Sequence, residues 1–136
     1  MGFEKFGLVS FTSQTRAGAF IDYLEKGELR ATRCKDCGRY FFPPRADCSW
    51  CMSKNVEWVK VEGQGTLDSY TKVYYGPTGF EDDVPYILAL VAYKDVKVFG
   101  RLSKKIDEAD VKVGMPLVFA PLQISEDKLS YEFLPA

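Results

Sequence analysis

The chain has 136 residues, of which 46% are apolar and 27% are charged, so it can bury the core of one domain or of two small ones. It contains no histidine, which excludes Ser-His-Asp and Cys-His catalysis and histidine metal ligands. No apolar run is long enough to span a bilayer, and residues 1–18 lack the pattern of a signal peptide, so we expect a soluble cytoplasmic protein.

Charge is uneven along the chain. Residues 1–30 are balanced, residues 31–60 carry six basic and three acidic side chains, and residues 61–136 carry eight basic and twelve acidic side chains. The middle of the chain is therefore basic and the C-terminal part is acidic, a difference that decides which ligands each part can attract.

The first predicted element is an amphipathic helix from Thr15 to Glu25. Either Ser13 or Thr15 can cap its start, and Gly27 stands where a helix commonly ends. Gly18 falls inside this span and weakens the helix by about 1 kcal/mol relative to alanine. Residues 1–12 are too apolar for a free tail, and we expect them to form a short helix or to lie on a partner. The apolar positions with helical spacing are Ala17, Phe20, Ile21 and Leu24.

Strands are predicted on both sides of the cysteine segment and throughout the rest of the chain. Residues 28–33 enter the cysteine segment, and residues 56–63 leave it. Five further alternating segments follow, with a polar stretch between the third and the fourth that is long enough for one or two helical turns. This pattern indicates a small Greek-key barrel, the OB-fold, although an SH3-like barrel also uses five short strands. The five segments are 66–76, 86–93, 96–102, 116–124 and 129–135.

All the cysteines lie in two Cys-x-x-Cys pairs separated by ten residues. Two residues between cysteines let both sulfur atoms of a pair face one centre, so two such pairs predict a tetrahedral site with four sulfur ligands. Gly38, directly after the first pair, suits a turn that needs a positive φ. The predicted ligands are Cys34, Cys37, Cys48 and Cys51.

Other uses of these thiols fit less well. Nothing indicates the secretion that disulfides need, and a redox pair would leave the second Cys-x-x-Cys unexplained. Iron and zinc both accept four thiolates, and availability together with a structural role favours one zinc ion. Because four protein ligands leave no open position, we expect a structural metal, whose binding supplies folding energy to a segment too small to fold alone.

From about Phe20 onward the sequence resembles a family of acyl-CoA-associated OB-fold proteins with an N-terminal rubredoxin-like zinc ribbon, whose defining domain is uncharacterised. The matching stretches are "GELRATRCKDCGRYFFPPRADCSWC", "GQGTLDSYTKV", "VPYILALV" and "VGMPLVF". Ser49 replaces the proline usual after the third cysteine. The implied fold is mostly β, with an N-terminal helical segment at 1–28, a rubredoxin-like zinc ribbon at 29–62 and a five-stranded OB-fold barrel at 63–136. We expect separate cores for the ribbon and the barrel.

The resemblance implies no catalysis by the chain itself, and it carries over only the four cysteines as metal ligands. Family members resemble small partners of thiolase-fold enzymes in lipid or isoprenoid metabolism. In the family, an archaeal member bridges an acetoacetyl-CoA thiolase and a hydroxymethylglutaryl-CoA synthase and helps to form a shared site for the CoA arm. The resemblance therefore implies a thiolase-fold enzyme and acyl-CoA or CoA as partners, and no membrane.

A ligand-binding face is expected on the ribbon, where cationic side chains flank the run Tyr-Phe-Phe-Pro-Pro. Cationic and apolar groups that lie together suit a long pantetheine-type ligand with a charged end, although a solvated surface is the simpler interpretation of any single residue. A second basic cluster, from Lys97 to Lys105, is diluted by acidic residues and has less weight. The candidate ligand-binding residues are Lys35, Arg39, Phe41, Phe42 and Arg45.

The competing hypothesis is a nucleic-acid-binding module, because zinc ribbons and OB-folds often bind nucleic acid. The barrel has aromatic side chains but is acidic where such binding needs a basic groove, so we expect no nucleic-acid partner. The simpler interpretation of the aromatic side chains is packing in cores and interfaces. They are Tyr70, Tyr74, Tyr75, Phe80, Tyr86 and Phe99. The carboxylates of "FEDDVP" and "IDEAD" are expected in solvated turns, with no acid–base pair.

Overall fold

A short helix packs beside two antiparallel sheets in the computed structural model, which describes residues 5–7, 16–126 and 128–136. The architecture is mostly β, as the sequence predicted. No helix in the described part of the chain is long and apolar enough to cross a membrane. The elements are α1 (Ala19–Glu25), β1 (Leu29–Cys34), β2 (Tyr40–Phe41), β3 (Val56–Val61), β4 (Gln64–Val73), β5 (Tyr86–Ala92), β6 (Lys97–Arg101), β7 (Pro116–Ser125) and β8 (Lys128–Pro135).

The larger sheet closes into a five-stranded barrel. Its strand order is β6-β5-β4-β7-β8, so β4 pairs with both β5 and β7. A parallel bridge between Leu102 and Phe133 brings the end of β6 against β8 and closes the circle. This closed Greek-key order is the OB-fold that the five alternating segments predicted. The polar stretch before β7 forms one 3-10 turn, Glu108–Asp110, instead of α-helical turns.

The smaller sheet, in the order β2-β1-β3, is the ribbon. β1 pairs with β3 along its whole length, from Leu29 opposite Val61 to Cys34 opposite Val56. β2 adds only two residue pairs on the other edge. Between β3 and β4 the chain has two residues, 62 and 63, so the ribbon continues almost directly into the barrel.

Helix α1 is shorter than predicted. It begins at Ala19, and Gly18 is its N-cap, without a side-chain hydrogen bond to the helix. The cost of glycine in a helix interior explains why the helix starts after this residue. The predicted caps, Ser13 and Thr15, lie outside the described residues, whereas Gly27 follows the helix with a φ of 79°, as expected. The buried stripe consists of Phe20, Ile21 and Leu24.

The buried apolar side chains of the described residues form one cluster. It joins Ile21 of α1 and Leu29 of β1 to Leu67, Val98 and Phe133 of the barrel strands. The expectation of separate cores for the ribbon and the barrel is therefore wrong. The segment boundaries after residues 28 and 62 stay a prediction.

Tyr131 of β8 lies where the helix, the ribbon and the barrel meet. Its ring centroid is 6.3 Å from that of Phe20 in α1 and 6.1 Å from that of Phe42 after β2, with both pairs edge to face. Phe133 of the barrel is 6.1 Å away, also edge to face. The Tyr131 hydroxyl donates a hydrogen bond to the carbonyl of Phe99, and burial raises the pKa of this tyrosine. These contacts fix the relative position of the three segments.

The aromatic side chains of the barrel are less buried than expected. Tyr86 is buried and Phe80 is half-buried against it, with ring centroids 6.0 Å apart. The other four do not pack in the core, because they occupy outward positions of strands and the end of β4, and their packing in an interface stays a prediction. These four exposed residues are Tyr70, Tyr74, Tyr75 and Phe99.

Asp83 ties the loop between β4 and β5 to the end of β6. Its carboxylate accepts hydrogen bonds of 2.5 and 3.3 Å from Arg101 and lies 2.8 Å from Nζ of Lys104. The expectation of a solvated carboxylate is wrong here, because the side chain is only 26% exposed. The hydrogen bonds from Arg101 outweigh the opposing effect of burial and, together with Lys104, lower the pKa of Asp83 to about 2.

Asp83→Asn should lower the free energy of unfolding by about 1–2 kcal/mol at neutral pH. Because the folded-state pKa lies below the ordinary value of 3.8, the ionised carboxylate stabilises the fold fully above that value and loses this effect as the pH falls towards 2. Urea unfolding of both proteins across that interval measures the difference. Asp68→Asn is the matched control, because the Asp68–Lys97 pair is exposed. A difference that does not shrink at low pH contradicts the prediction.

Candidate metal centre

The four cysteine sulfur atoms converge at the tip of the ribbon. They lie within 4.8 Å of one another, with 3.6 Å between Cys34 and Cys51 and 3.5 Å between Cys37 and Cys48. None of them is in a disulfide. A tetrahedral ion with Zn–S bonds of about 2.3 Å requires sulfur atoms about 3.8 Å apart, so the spacing of the four thiols is close to that of a metal site. The predicted ligand set is therefore brought together at one site.

The backbone of each Cys-x-x-Cys pair turns its amide groups toward sulfur. Cys48 Sγ accepts hydrogen bonds of 3.3 Å from the N–H groups of Trp50 and Cys51. Each turn then reverses at a residue with positive φ, Gly38 at 80° and Met52 at 64°. The N–H of each of these two residues bonds to the carbonyl of the first cysteine of its pair. The two turns are thus equivalent, but only the first uses glycine at the strained position.

The thiols differ in proton affinity before any metal binds. The backbone N–H of Cys51 is the main cause that lowers the pKa of Cys48 to about 6, against burial. For Cys51, the N–H of Ser53 lowers the pKa, but burial and the neighbouring thiols outweigh it and raise the value to about 12. The pKa of Cys34 is likewise lowered and that of Cys37 likewise raised. Each pair therefore holds one thiol whose pKa is lowered and one whose pKa is raised.

Side chains behind the sulfur atoms connect the two turns. Ser53 Oγ donates a hydrogen bond to Asp36, whose other oxygen accepts one of 3.4 Å from Asn55 Nδ2. The carbonyl of Asn55 in turn accepts a bond of 2.9 Å from the N–H of Lys35. Buried Cys34 and Cys48 lie toward the sheet, and Cys37 and Cys51 lie toward solvent. This arrangement supports a closed site with four protein ligands, whose role is structural.

The candidate ligand-binding residues lie on the same ribbon, but not all on one face. Arg45 places its guanidinium 5.9 Å from the ring centroid of Phe41, and Lys35 and Arg39 are exposed. Phe42 instead turns inward and packs against Phe20, with ring centroids 5.9 Å apart. We use the name ribbon face for the outward set Lys35, Arg39, Phe41, Arg45 and Trp50.

Trp50 is the member of the ribbon face that the sequence analysis missed. It is 70% exposed, and the Arg39 guanidinium lies 4.0 Å from the centroid of its ring. A stacked cation and an exposed indole beside a metal site are typical of surfaces that bind partners. Its position between Cys48 and Cys51 offered a signal, because a large apolar residue there cannot reach the core.

Two family models match consecutive parts of the chain. The ChsH2 rubredoxin-like zinc ribbon domain matches residues 22–57, and the ChsH2 C-terminal OB-fold domain matches residues 58–120. A DUF35 domain-containing scaffold protein of Methanocaldococcus jannaschii is 33% identical over 73% of this chain and 71% of its own length. This chain belongs to the DUF35 family.

Two further proteins similar to this DUF35 chain carry the names of enzyme components. The benzoylsuccinyl-CoA thiolase subunit BbsA of Geobacter metallireducens is 30% identical over 77% of this chain and 73% of its own. The structure of an Ltp2-ChsH2(DUF35) aldolase matches with a TM-score of 0.74 and 26% identity, over 92% of this chain and 98% of the other. The family resemblance inferred from the sequence is confirmed.

The DUF35 protein purified without added metal should contain about one equivalent of zinc, because the four ligands form one closed site. Cys37→Ser should release the zinc and lower the melting temperature of the whole chain in one transition, since ribbon and barrel residues share a core. Elemental analysis and calorimetry measure the two effects, and Ser49→Ala, a change in the same turn at a residue that is not a ligand, is the control. Iron as the dominant metal refutes the choice of zinc but not the site. An unchanged barrel transition in Cys37→Ser contradicts the shared core.

Met52→Gly should raise the free energy of unfolding of the metal-loaded protein by about 1 kcal/mol. Glycine removes the cost of a side chain at positive φ, which exceeds the added entropy of the unfolded chain. Gly38→Ala is the matched opposite change, because a Cβ there meets no atom closer than 3.7 Å and acts through φ alone. Thermal unfolding should place the two variants on opposite sides of the wild type. If the melting temperature shifts in the same direction in both variants, the two turns are not equivalent.

Proposed function

We propose that this DUF35 protein is a non-catalytic accessory subunit of acyl-CoA enzymes. The observation that carries the proposal is the match to BbsA, a subunit of a thiolase, over 77% of this chain. The name of the aldolase with a DUF35 component points to the same class of assembly. More specifically, we propose that the chain docks on a thiolase-fold enzyme of the acetoacetyl-CoA thiolase or hydroxymethylglutaryl-CoA synthase type and helps to form a passage for CoA.

The chemistry of the chain supports an accessory role. Histidine is absent, and the four thiols fit a closed metal site with no open position for a substrate. Asp83 is held ionised by Arg101 and Lys104, so it does not have the raised pKa of a general acid. Catalysis in the assembly is therefore assigned to the partner enzyme.

The ribbon face is the proposed contribution to the CoA passage. Lys35 and Arg39 have no carboxylate partner among the described residues, and Arg45 is only loosely paired with Asp47, at 3.9 Å. Their charges are therefore available to the phosphate groups of CoA. Trp50, stacked on Arg39, adds an apolar surface for the adenine or the pantetheine arm.

Titration with unacylated CoA tests this passage. The lone chain should bind CoA weakly, because a shallow face cannot enclose a long flexible ligand, and the complex with its thiolase-fold enzyme should bind CoA more tightly. Co-purification from the native source at low salt, followed by calorimetric titration, measures both. Recovery of the chain without any thiolase-fold enzyme counts against docking. Tight binding of CoA to the lone chain contradicts a passage with shared walls.

Arg45→Glu should weaken CoA binding to the complex about tenfold without releasing zinc, because a carboxylate then repels the phosphates. Lys94→Glu, the same charge reversal at an exposed barrel position, should leave the affinity unchanged. Zinc content and the yield of the complex are measured in parallel. If Arg45→Glu leaves the affinity for CoA unchanged, the charges of the ribbon face are solvated and do not contact CoA.

One observation favours nucleic acid as a second candidate ligand, the exposure of aromatic side chains on the barrel, including Tyr70 and Phe99. The acidic barrel opposes it, because single strands are held chiefly through their phosphates. We therefore expect negligible binding of labelled single-stranded DNA or RNA at physiological salt, measured by fluorescence anisotropy. Submicromolar affinity with a steep salt dependence reverses this conclusion.

A further inference from the structure

Two close contacts between thiols run from one Cys-x-x-Cys turn to the other. Cys34 Sγ lies 3.6 Å from Cys51 Sγ, and Cys37 Sγ lies 3.5 Å from Cys48 Sγ. Both pairs of sulfur atoms are in van der Waals contact. Each contact therefore holds two thiols near enough to join in a disulfide after a small shift of the side chains.

Each of these contacts joins an exposed thiol to a buried one. Cys37 and Cys51 are exposed, whereas Cys34 and Cys48 are buried. A small oxidant that arrives from solvent therefore meets the exposed sulfur atoms first, and each of them already touches a buried partner. An accessible thiol with a second thiol in reach is the combination that proteins use for reversible oxidation.

The two turns are also joined by hydrogen bonds that need no metal ion. The carboxylate of Asp36, in the first turn, accepts hydrogen bonds from Ser53 and Asn55, which follow the second turn. The N–H of Lys35 donates to the carbonyl of Asn55, and β1 pairs with β3 as far as Cys34. The sulfur atoms of opposite turns would therefore stay close together after the loss of an ion.

We propose that the four cysteines are a site of reversible oxidation by hydrogen peroxide, which releases zinc and leaves two disulfides between the turns. One disulfide joins Cys34 to Cys51, and the other joins Cys37 to Cys48. The two bonds replace the metal as the connection between the turns, so the ribbon stays folded without it. Neither docking nor CoA enters this argument, which therefore goes beyond the proposed function.

Each disulfide forms in a two-electron oxidation that consumes one molecule of hydrogen peroxide. The thiolate sulfur of the exposed cysteine attacks one peroxide oxygen, so that an S–O bond forms, the O–O bond breaks and the leaving hydroxide takes up a proton as water. The thiolate of the buried cysteine then attacks this sulfenic acid, an S–S bond forms, the S–O bond breaks and a second water leaves after protonation. Two thiolates are oxidised, one peroxide is reduced, and a dithiol reductant reverses the change by exchange.

Disulfide mapping of the full, zinc-loaded chain after treatment with hydrogen peroxide tests the proposal. Trypsin places the first Cys-x-x-Cys pair in peptides 34–35 and 36–39 and the second pair in peptide 46–54. Once free thiols are blocked with N-ethylmaleimide, the main product should be peptide 46–54 carrying both of the others. Chymotrypsin, which cleaves after Trp50, should then leave 34–35 on the Cys51 fragment. A chelating dye should record the release of about one equivalent of zinc.

Three results overturn the proposal. The first is a product in which peptide 34–35 is joined to 36–39 while 46–54 is closed on itself, because the disulfides then lie within the turns. The second is zinc that stays bound at millimolar peroxide. The third is a product from which dithiothreitol and added zinc do not restore the metal content.

Thermal unfolding tests whether the disulfides replace the metal. The oxidised, zinc-free chain should unfold at a higher temperature than the reduced chain from which zinc has been chelated, because the disulfides constrain the unfolded state. The reverse order contradicts a ribbon that stays folded after oxidation.

Asp36→Ala tests whether the hydrogen bonds between the turns select the disulfides. The variant should raise the proportion of disulfides within the turns about fivefold, because it removes the carboxylate that holds Ser53 and Asn55. Asp47→Ala is the matched control, since this exposed carboxylate is paired only with Arg45, at 3.9 Å. An unchanged distribution in Asp36→Ala, or an equal change in the control, overturns this role of Asp36.

Discussion

The ring of Tyr131 is the contact on which the arrangement of the whole molecule depends. It touches the helix through Phe20 and the ribbon through Phe42, while its own strand belongs to the barrel. Because aromatic rings prefer edge-to-face contacts at such distances, these neighbours restrict one another in orientation as well as in position. Gly100 makes the arrangement possible, since a larger residue would collide with the Tyr131 ring.

Metal binding at the four thiols would therefore stabilise the same structure as the packing of the barrel. The ribbon has a three-stranded sheet whose shortest strand has two residues, so its own strands bury little surface. The four thiols order its tip, and the shared core orders its base through Leu29 and Val61. An ion at the tip thus stabilises a sheet that is already attached to the barrel, rather than a segment that folds alone.

Local patterns in the sequence were sufficient for the strands and for the clustering of the four cysteines. Strand alternation and the Cys-x-x-Cys spacing both depend on residues that are close together in the sequence. The predicted strand bounds therefore lie within a few residues of the observed ones. The start of α1 was missed because the cost of Gly18 in a helix outweighed the apolar periodicity. The inward turn of Phe42 was missed as well, since "YFF" gives no sign of which ring faces the core.

The ribbon face and the meeting of β6 with β8 required the three-dimensional structure. The bridge between Leu102 and Phe133 joins segments about thirty residues apart in sequence, and no local pattern predicts such a contact. The basic cluster near Lys105 was visible in the sequence, but Asp95 and Asp107 lie beside it in the chain and reduced its weight. In the structure Asp83 is already occupied by Arg101 and Lys104, which leaves the charge of Lys105 uncompensated.

The two-residue connection between β3 and β4 has a mechanical consequence. Gly65, just after it, lies so close to Val91 and Tyr93 that a Cβ would be 2.6 Å from the first and 3.0 Å from the second, so the start of β4 is wedged against the barrel wall. A ribbon attached in this way cannot swivel. A force applied at the metal site would pass through the six residue pairs of the β1–β3 ladder before it reaches the barrel. A displacement of the metal site would therefore carry the start of β4 with it.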